Sequence, residues 1–281
     1  MHPIGIHLSY WQENWTDNLL PLIGKAHAAG FDVAEFPLLL PELDTESIRG
    51  ELARLGMRAS CCTGLGGTTD ISSPDHSIRK AGLQRLQTCL QWAAELGSPV
   101  LAGVTYTGWG VFSGDDRLER YDQMISSLKT AAQIAADVNV QLCLEVVNRY
   151  EGFLLNTVQQ GLQIVSEVGS PYIRLHLDTF HMNIEEDLIG AAIRQCGVQL
   201  GHLHCVENNR KVPGEGHIPW SEVVAAVDAI GYHGFIVAET FVNPAGEVGQ
   251  GLSIHRRLTD DDLDTAAAKA ASFLRSAFNH A

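Results

Sequence analysis

Eight short apolar runs recur along the 281-residue chain, and segments with helical spacing lie between them. The runs are 4–10 (IGIHLSY), 31–36 (FDVAEF), 57–62 (MRASCC), 99–106 (PVLAGVTY), 140–146 (VQLCLEV), 173–178 (IRLHLD), 200–206 (LGHLHCV) and 235–240 (FIVAET), and each reads as a strand. Leu19, Leu22, Ile23 and Ala26 precede a stop at Gly30, and Ile125, Leu128, Ala132 and Ala135 precede Asn139. SEVVAAVDAIG (221–231) ends at Gly231, a natural helix C-cap. Eight strand–helix units in a chain of this length are the arithmetic of a (β/α)8 barrel. The expected fold is therefore α/β, a single TIM-barrel domain over residues 1–281. A doubly wound open sheet is the competing architecture. No glycine fingerprint follows the first strand, however, and no composition break marks a second domain. The longest loops, 106–116 and 241–258, are rich in glycine and polar residues and follow strands, where a barrel keeps its functional loops.

Composition narrows the function. A net charge of −14 argues against nucleic acid as a partner, because phosphate contacts need clustered Lys and Arg. No apolar run approaches the ~20 residues of a membrane span. The opening stretch MHPIGIHLSYW has neither a basic n-region nor a long h-region, so no signal peptide is expected. The cysteines (Cys61, Cys62, Cys89, Cys143, Cys196, Cys205) form no C-x-x-C pair and read as reduced core thiols of a cytoplasmic protein.

Glu145 stands in the apolar run VQLCLEVV, where a packed strand would prefer another valine. An unpaired buried carboxylate costs several kcal/mol or takes up a proton. The same anomaly recurs at one structural level: Glu145, Asp178, His204 and Glu239 end the fifth to eighth strands. In a barrel those ends converge on one face. Singly, a strand-end Asp serves as a helix N-cap and a buried His as a hydrogen-bonded core group. Together, three carboxylates and an imidazole make a cage for one divalent metal ion. The oxygen-rich set suits Mn²⁺ or Mg²⁺, and the histidine also admits Co²⁺ or Zn²⁺. The absence of cysteine argues against structural zinc.

Other residues leave alternatives open. Arg210 and His181 are donors that could fix substrate oxygens, or a solvated loop arginine and a helix-start residue. Glu151 could pair with Arg149. Trp11, Trp15 and Trp109 follow strands one and four, as an aromatic wall for a sugar or as packing under loops. Trp92 and Trp220 read as helix packing. VPGEGH (212–217) has loop glycines where barrels bind phosphate, but Glu215 in its middle is unfriendly to a dianion.

The stretches LEVVNRYE, LDTFHMNIEE, GHLHCVENNRKVPGEGHIPW and AETF resemble the ketose 3-epimerases, the D-tagatose, D-allulose (psicose) and L-ribulose 3-epimerase group of the xylose-isomerase-like barrels. The resemblance runs from IGIHLSYW through CCTGLGG to VPGEGHIPW and weakens after about residue 245. It implies metal ligation by Glu145, Asp178, His204 and Glu239, with the two glutamates also acting as acid and base. It implies that Glu151, His181 and Arg210 hold the oxygens around carbons 1 to 3, and that Trp15 and Trp109 line the rest of the sugar pocket. The group often has an aromatic residue where His7 stands and usually a proline where Thr240 stands. Mn²⁺ is the ion it favours, with Co²⁺ or Mg²⁺ as alternatives, and a homodimer or homotetramer the assembly.

The implied reaction is epimerisation of a free ketose at carbon 3, of the D-fructose/D-allulose, D-tagatose/D-sorbose or L-ribulose/L-xylulose type, through a metal-stabilised cis-enediolate. The hydrogen beside a ketone is weakly acidic, and inversion requires the proton to return from the opposite face, so two bases are needed. Strands five and eight are three steps apart in a ring of eight, so Glu145 and Glu239 can flank a substrate over the barrel mouth. An aldose–ketose isomerase working on carbons 1 and 2 would use much the same barrel. A DNA-repair endonuclease of the superfamily would want basic loops, and a non-catalytic sugar-binding protein would not need opposed carboxylates.

Overall fold

The eight apolar runs form eight parallel strands, hydrogen-bonded in chain order into a closed barrel. The computed structural model describes residues 1–112 and 114–279. The strands are β1 (Ile4–His7), β2 (Val33–Pro37), β3 (Arg58–Cys62), β4 (Val100–Gly103), β5 (Gln141–Glu145), β6 (Ile173–Asp178), β7 (Leu200–Cys205) and β8 (Ile236–Ala238). Outside them lie α1 (Leu20–Ala28), α2 (Thr45–Leu55), α3 (His76–Leu96), α4 (Arg117–Val138), α5 (Val158–Val168), α6 (Thr179–Glu185), α7 (Ile189–Cys196), α8 (Trp220–Ala229), α9 (Gly246–Gly251) and α10 (Leu263–Phe278). This is the (β/α)8 barrel expected from the sequence.

Local chemistry sets the boundaries. Asp44, Asp75, Thr157, Asp178 and Asp262 cap helix N-termini through side-chain oxygens, and Thr157 with Gln160 completes a capping box. Asn139 ends α4 in the left-handed conformation, φ 54°. Every strand but β6 is shorter than its apolar run, β1, β4 and β8 most, and β8 stops at Ala238, one residue before Glu239. The first leaves the sheet after His7 and becomes a 3-10 turn over Leu8–Tyr10. The fourth stops at Gly103, φ +109°, where a Cβ would collide with the Thr63 carbonyl, so only glycine lets the two strand ends approach. The expected loop 241–258 contains α9, and loop 106–116 includes Ser113, which lies outside the described residues.

The period-two pattern sorts β6 and β7 into two faces. Leu175, Leu177, Leu203 and Cys205 join the main apolar core. His176, Asp178, His202 and His204 alternate with them, all fully buried, and so share the opposite face. Outward packing thus provides the hydrophobic core, and the barrel interior is free to carry polar groups near its C-terminal end. All six cysteines are free and buried. Among the described residues no helix is long and apolar enough to cross a membrane.

Candidate metal centre and active site

Barrel closure brings the four strand-end residues together. Glu145 closes β5, Asp178 closes β6, His204 is the penultimate residue of β7, and Glu239 directly follows β8. Asp178 and His204 are register partners across β6 and β7. One ligand atom from each of Glu145, Asp178, His204 and Glu239 lies within 4.8 Å of all the others. His204 Nδ1 is 3.9 Å from Asp178 Oδ2 and 3.5 Å from Glu239 Oε2.

The unmade hydrogen bonds test whether a cation fits. Asp178 Oδ1 accepts the backbone N–H groups of Phe180 at 2.7 Å and His181 at 3.1 Å, capping α6. Its Oδ2 is buried with no partner, and so is His204 Nδ1. Capping α6 therefore occupies one oxygen of Asp178 and leaves the other available to a ligand role. An unpartnered carboxylate oxygen and an unpartnered imidazole nitrogen facing two further carboxylates fit a hard or borderline divalent ion.

The electrostatics agree. Burial, then the Glu239 and Asp178 carboxylates, push the Glu145 acid well above its usual range. Burial raises Asp178 to about 7 despite the nearby Arg210 cation. Burial acts the same way on Glu239, but His204, His7 and Arg210 outweigh it and hold that carboxyl well below its usual range.

A support group lies on the other side of His204, and the sequence reading missed it. Fully buried Glu35 of β2 is 2.5 Å from His204 Nε2 through Oε1 and 2.6 Å from His202 Nε2 through Oε2, and it accepts the Ser60 hydroxyl at 2.6 Å. A proton on His204 Nε2 held by Glu35 leaves the Nδ1 lone pair for the quartet. His176 packs under His204 with ring centroids 4.0 Å apart, and neither of its nitrogens has a partner. The signal for Glu35 was available in FDVAEF, a charged residue in an apolar run, as at Glu145.

Above the quartet is a cavity of about 280 Å3, lined among others by Glu145, Glu239, Glu151, His181, Arg210, Trp15 and Trp109. Asp178 and His204 are fully buried and do not reach its surface. His181 Nδ1 faces the backbone N–H of Asn148 at 3.2 Å and Asn148 Nδ2 at 2.8 Å. Those contacts place the imidazole proton on Nε2, 3.6 Å from Glu145 Oε1. Burial and Arg210 lower the His181 pKa to about 4, so it is a neutral donor near pH 7. Glu151 accepts from Asn148 Nδ2 at 3.0 Å and from Trp109 Nε1 at 3.2 Å. It does not pair with Arg149, which binds Glu185 at 2.8 Å. Arg210 is buried, not a solvated loop residue. It lies over the Phe180 ring at 3.8 Å and reaches Glu239 at 3.3 Å and Glu151 at 3.5 Å.

Trp11 does not line the cavity; it packs away from it, donating to Asp264 at 2.7 Å. The VPGEGH loop wraps around buried Glu207, which accepts the Gly214 N–H at 2.7 Å and the Ile218 N–H at 3.2 Å. Those amides are committed to a carboxylate and are not offered to a phosphate, which favours the plain turn.

Comparison with known proteins places this geometry in a class. The chain matches the family model described as xylose isomerase-like TIM barrel over residues 23–276. It is 36% identical over 281 residues to a D-psicose 3-epimerase of Ruminiclostridium cellulolyticum, covering 96% of each chain. It is 35% identical to an L-ribulose 3-epimerase of Mesorhizobium japonicum, over 95% of this chain and 91% of the relative. The crystal structure of a D-psicose 3-epimerase with D-tagatose from Clostridium cellulolyticum superposes with a TM-score of 0.93 at 34% identity, covering 98% of this chain and 99% of the other. The chain belongs to the ketose 3-epimerases of that barrel family, whose members are isomerase-class enzymes.

Proposed function

We propose that this protein is a metal-dependent epimerase of free ketoses at carbon 3, with D-allulose (D-psicose)/D-fructose and L-ribulose/L-xylulose the first pairs to test, as the relatives' names suggest. One observation carries the reading: the Glu145, Asp178, His204 and Glu239 donors converge within 4.8 Å, with Asp178 Oδ2 and His204 Nδ1 left unpartnered. Those four residues would hold one divalent ion, Mn²⁺ foremost and Co²⁺ or Mg²⁺ as alternatives. Bound there, the ion would supply Lewis-acid stabilisation of the negative charge that develops on the ketose oxygens.

The side chains do the rest. Glu145 and Glu239 rise from strands three steps apart in the ring and both line the cavity. One carboxylate removes the carbon-3 proton from one face, and the other returns a proton to the opposite face. In the metal-free protein their environments differ, burial pushing the Glu145 acid up while His204, His7 and Arg210 hold Glu239 as the carboxylate. Each exchanges its role when the reaction reverses. Arg210 and the His181 Nε2–H donate to substrate oxygens, Glu151 accepts from a hydroxyl, and Trp15 and Trp109 cover the remainder of the sugar. We read residues 1–281 as one catalytic domain acting in the cytoplasm, which the six reduced thiols support, and assembling as a homodimer or homotetramer.

The test is metal-stripped protein resupplied with single cations and incubated with a ketose panel in heavy water. Deuterium at carbon 3 of an epimeric ketose is expected. Aldose product, or label only at carbon 1, would transfer the assignment to aldose–ketose isomerisation. Glu145→Gln and Glu239→Gln should each lower turnover by about 10²–10⁴, with metal content measured in the same samples. Near-normal epimerisation by either variant defeats the two-base assignment.

A further inference from the structure

The connection from β7 to α8 turns sharply at Arg210, whose φ of +63° lies in the left-handed region that residues with a Cβ rarely adopt. Hydrogen bonds from both sides hold the bend. The Arg210 N–H donates to the Glu207 carbonyl at 3.0 Å, and the Arg210 carbonyl accepts the Phe241 N–H at 3.0 Å. The same carbonyl accepts the Thr240 hydroxyl at 2.7 Å. Thr240 is 1% exposed and directly follows Glu239. Past this bend the guanidinium sits over Phe180 and spans Glu151 and Glu239 at the cavity wall. One short segment thus carries both a quartet carboxylate and the clip that fixes the arginine facing it.

A strained backbone persists only where its surroundings over-determine it. The Thr240 hydroxyl uses one of the two lone pairs of the Arg210 carbonyl. A valine or proline at 240 offers no such donor. Without the hydroxyl the Arg210 carbonyl keeps only the Phe241 bond, beside the bonds of the Arg210 and Lys211 N–H groups, and the left-handed conformation competes with relaxed ones that carry the guanidinium away from the cavity.

We infer that Thr240 is a positioning residue: its hydroxyl holds the Arg210 peptide so that the guanidinium stays over the cavity and grips the substrate. The grip on a ketose rests on the epimerase reading above; the hold on Arg210 does not.

The test compares Thr240→Val with Thr240→Ser in the metal-loaded, full-length protein. KM and kcat are measured with D-allulose and D-fructose, Mn²⁺ affinity by calorimetry, and the Arg210 conformation by crystallography. Loss of one buried hydrogen bond corresponds to about a three- to tenfold rise in KM for Thr240→Val, with Mn²⁺ affinity changing less than about twofold, and Arg210 displaced in the crystal. Thr240→Ser should restore both KM and the bend. Wild-type KM in Thr240→Val, or equal impairment of both variants, overturns the inference. Should the wild-type protein turn over no ketose, the reaction assignment falls. The crystals then decide the inference alone: an unmoved Arg210 in Thr240→Val refutes it and a displaced one upholds it.

Discussion

At Asp178 only one oxygen of the carboxylate has a partner, which separates its structural duty from the ligand duty proposed for it. Oδ1 caps α6 and Oδ2 faces the quartet. Asparagine can keep the cap while removing the charge. Metal-free Asp178→Asn should therefore melt no lower than the parent, because a carboxyl whose pKa burial has raised to about 7 is gone. Its Mn²⁺ affinity should fall by at least about 100-fold. Calorimetric melting and titration of the same preparation check both halves, and a lowered melting point with intact affinity would contradict them. Glu35 acts through His204, orienting the ring by a bond of 2.5 Å. Support groups of this kind are worth about 10–100-fold in metal affinity. Glu35→Gln should show that loss, while the Glu145 and Glu239 carboxylates remain in place.

Between elements, the loop after β5 and the start of α6 are joined by Asn148. Its backbone N–H and its Nδ2 both face His181 Nδ1, Nδ2 also donates to Glu151 Oε1, and Oδ1 accepts the Tyr150 N–H at 2.9 Å. One amide thereby sets the tautomer of a cavity histidine and the position of a cavity glutamate. Asn148→Ala removes three side-chain bonds from this clip, two of them to the cavity residues His181 and Glu151, worth about 1 kcal/mol each. The expected result is a KM for ketose raised about tenfold or more with unchanged Mn²⁺ affinity, measured by steady-state kinetics and calorimetry; a weakened metal site instead would mean that the clip serves the quartet. Adjacency in the chain was misleading at this scale. Glu151 stands two residues from Arg149, yet the arginine turns out to Glu185 on α6.

For the whole molecule, the proposed metal site links stability to metal binding through the quartet. Without metal, the pKa of Asp178 in the folded state is about 7, above its unfolded value of 3.8, and Glu145 is shifted in the same direction. A raised carboxyl contributes stability that is fully present below the unfolded pKa and is lost as pH rises through the folded one. Metal binding requires both groups ionised, so affinity rises across the same window. The melting temperature gained on adding a fixed concentration of Mn²⁺ should therefore grow from pH 5.5 to pH 8, and a gain independent of pH would contradict the assignment of these ligands. The barrel and its quartet were legible in the chain because their signals are local. Period-two and helical spacing mark each element within a few residues, and a carboxylate in an apolar run marks its own cost. Glu35 carried that same local mark, but Ser60 and His204 lie 25 and 169 residues away, and nothing in one strand announces a contact across a ring. The sequence alone determined which elements form and which side chains are expensive to bury. Only closure of the barrel decided which of those expensive groups meet, because the distances that let one charge compensate another exist only once all eight strand ends share a face.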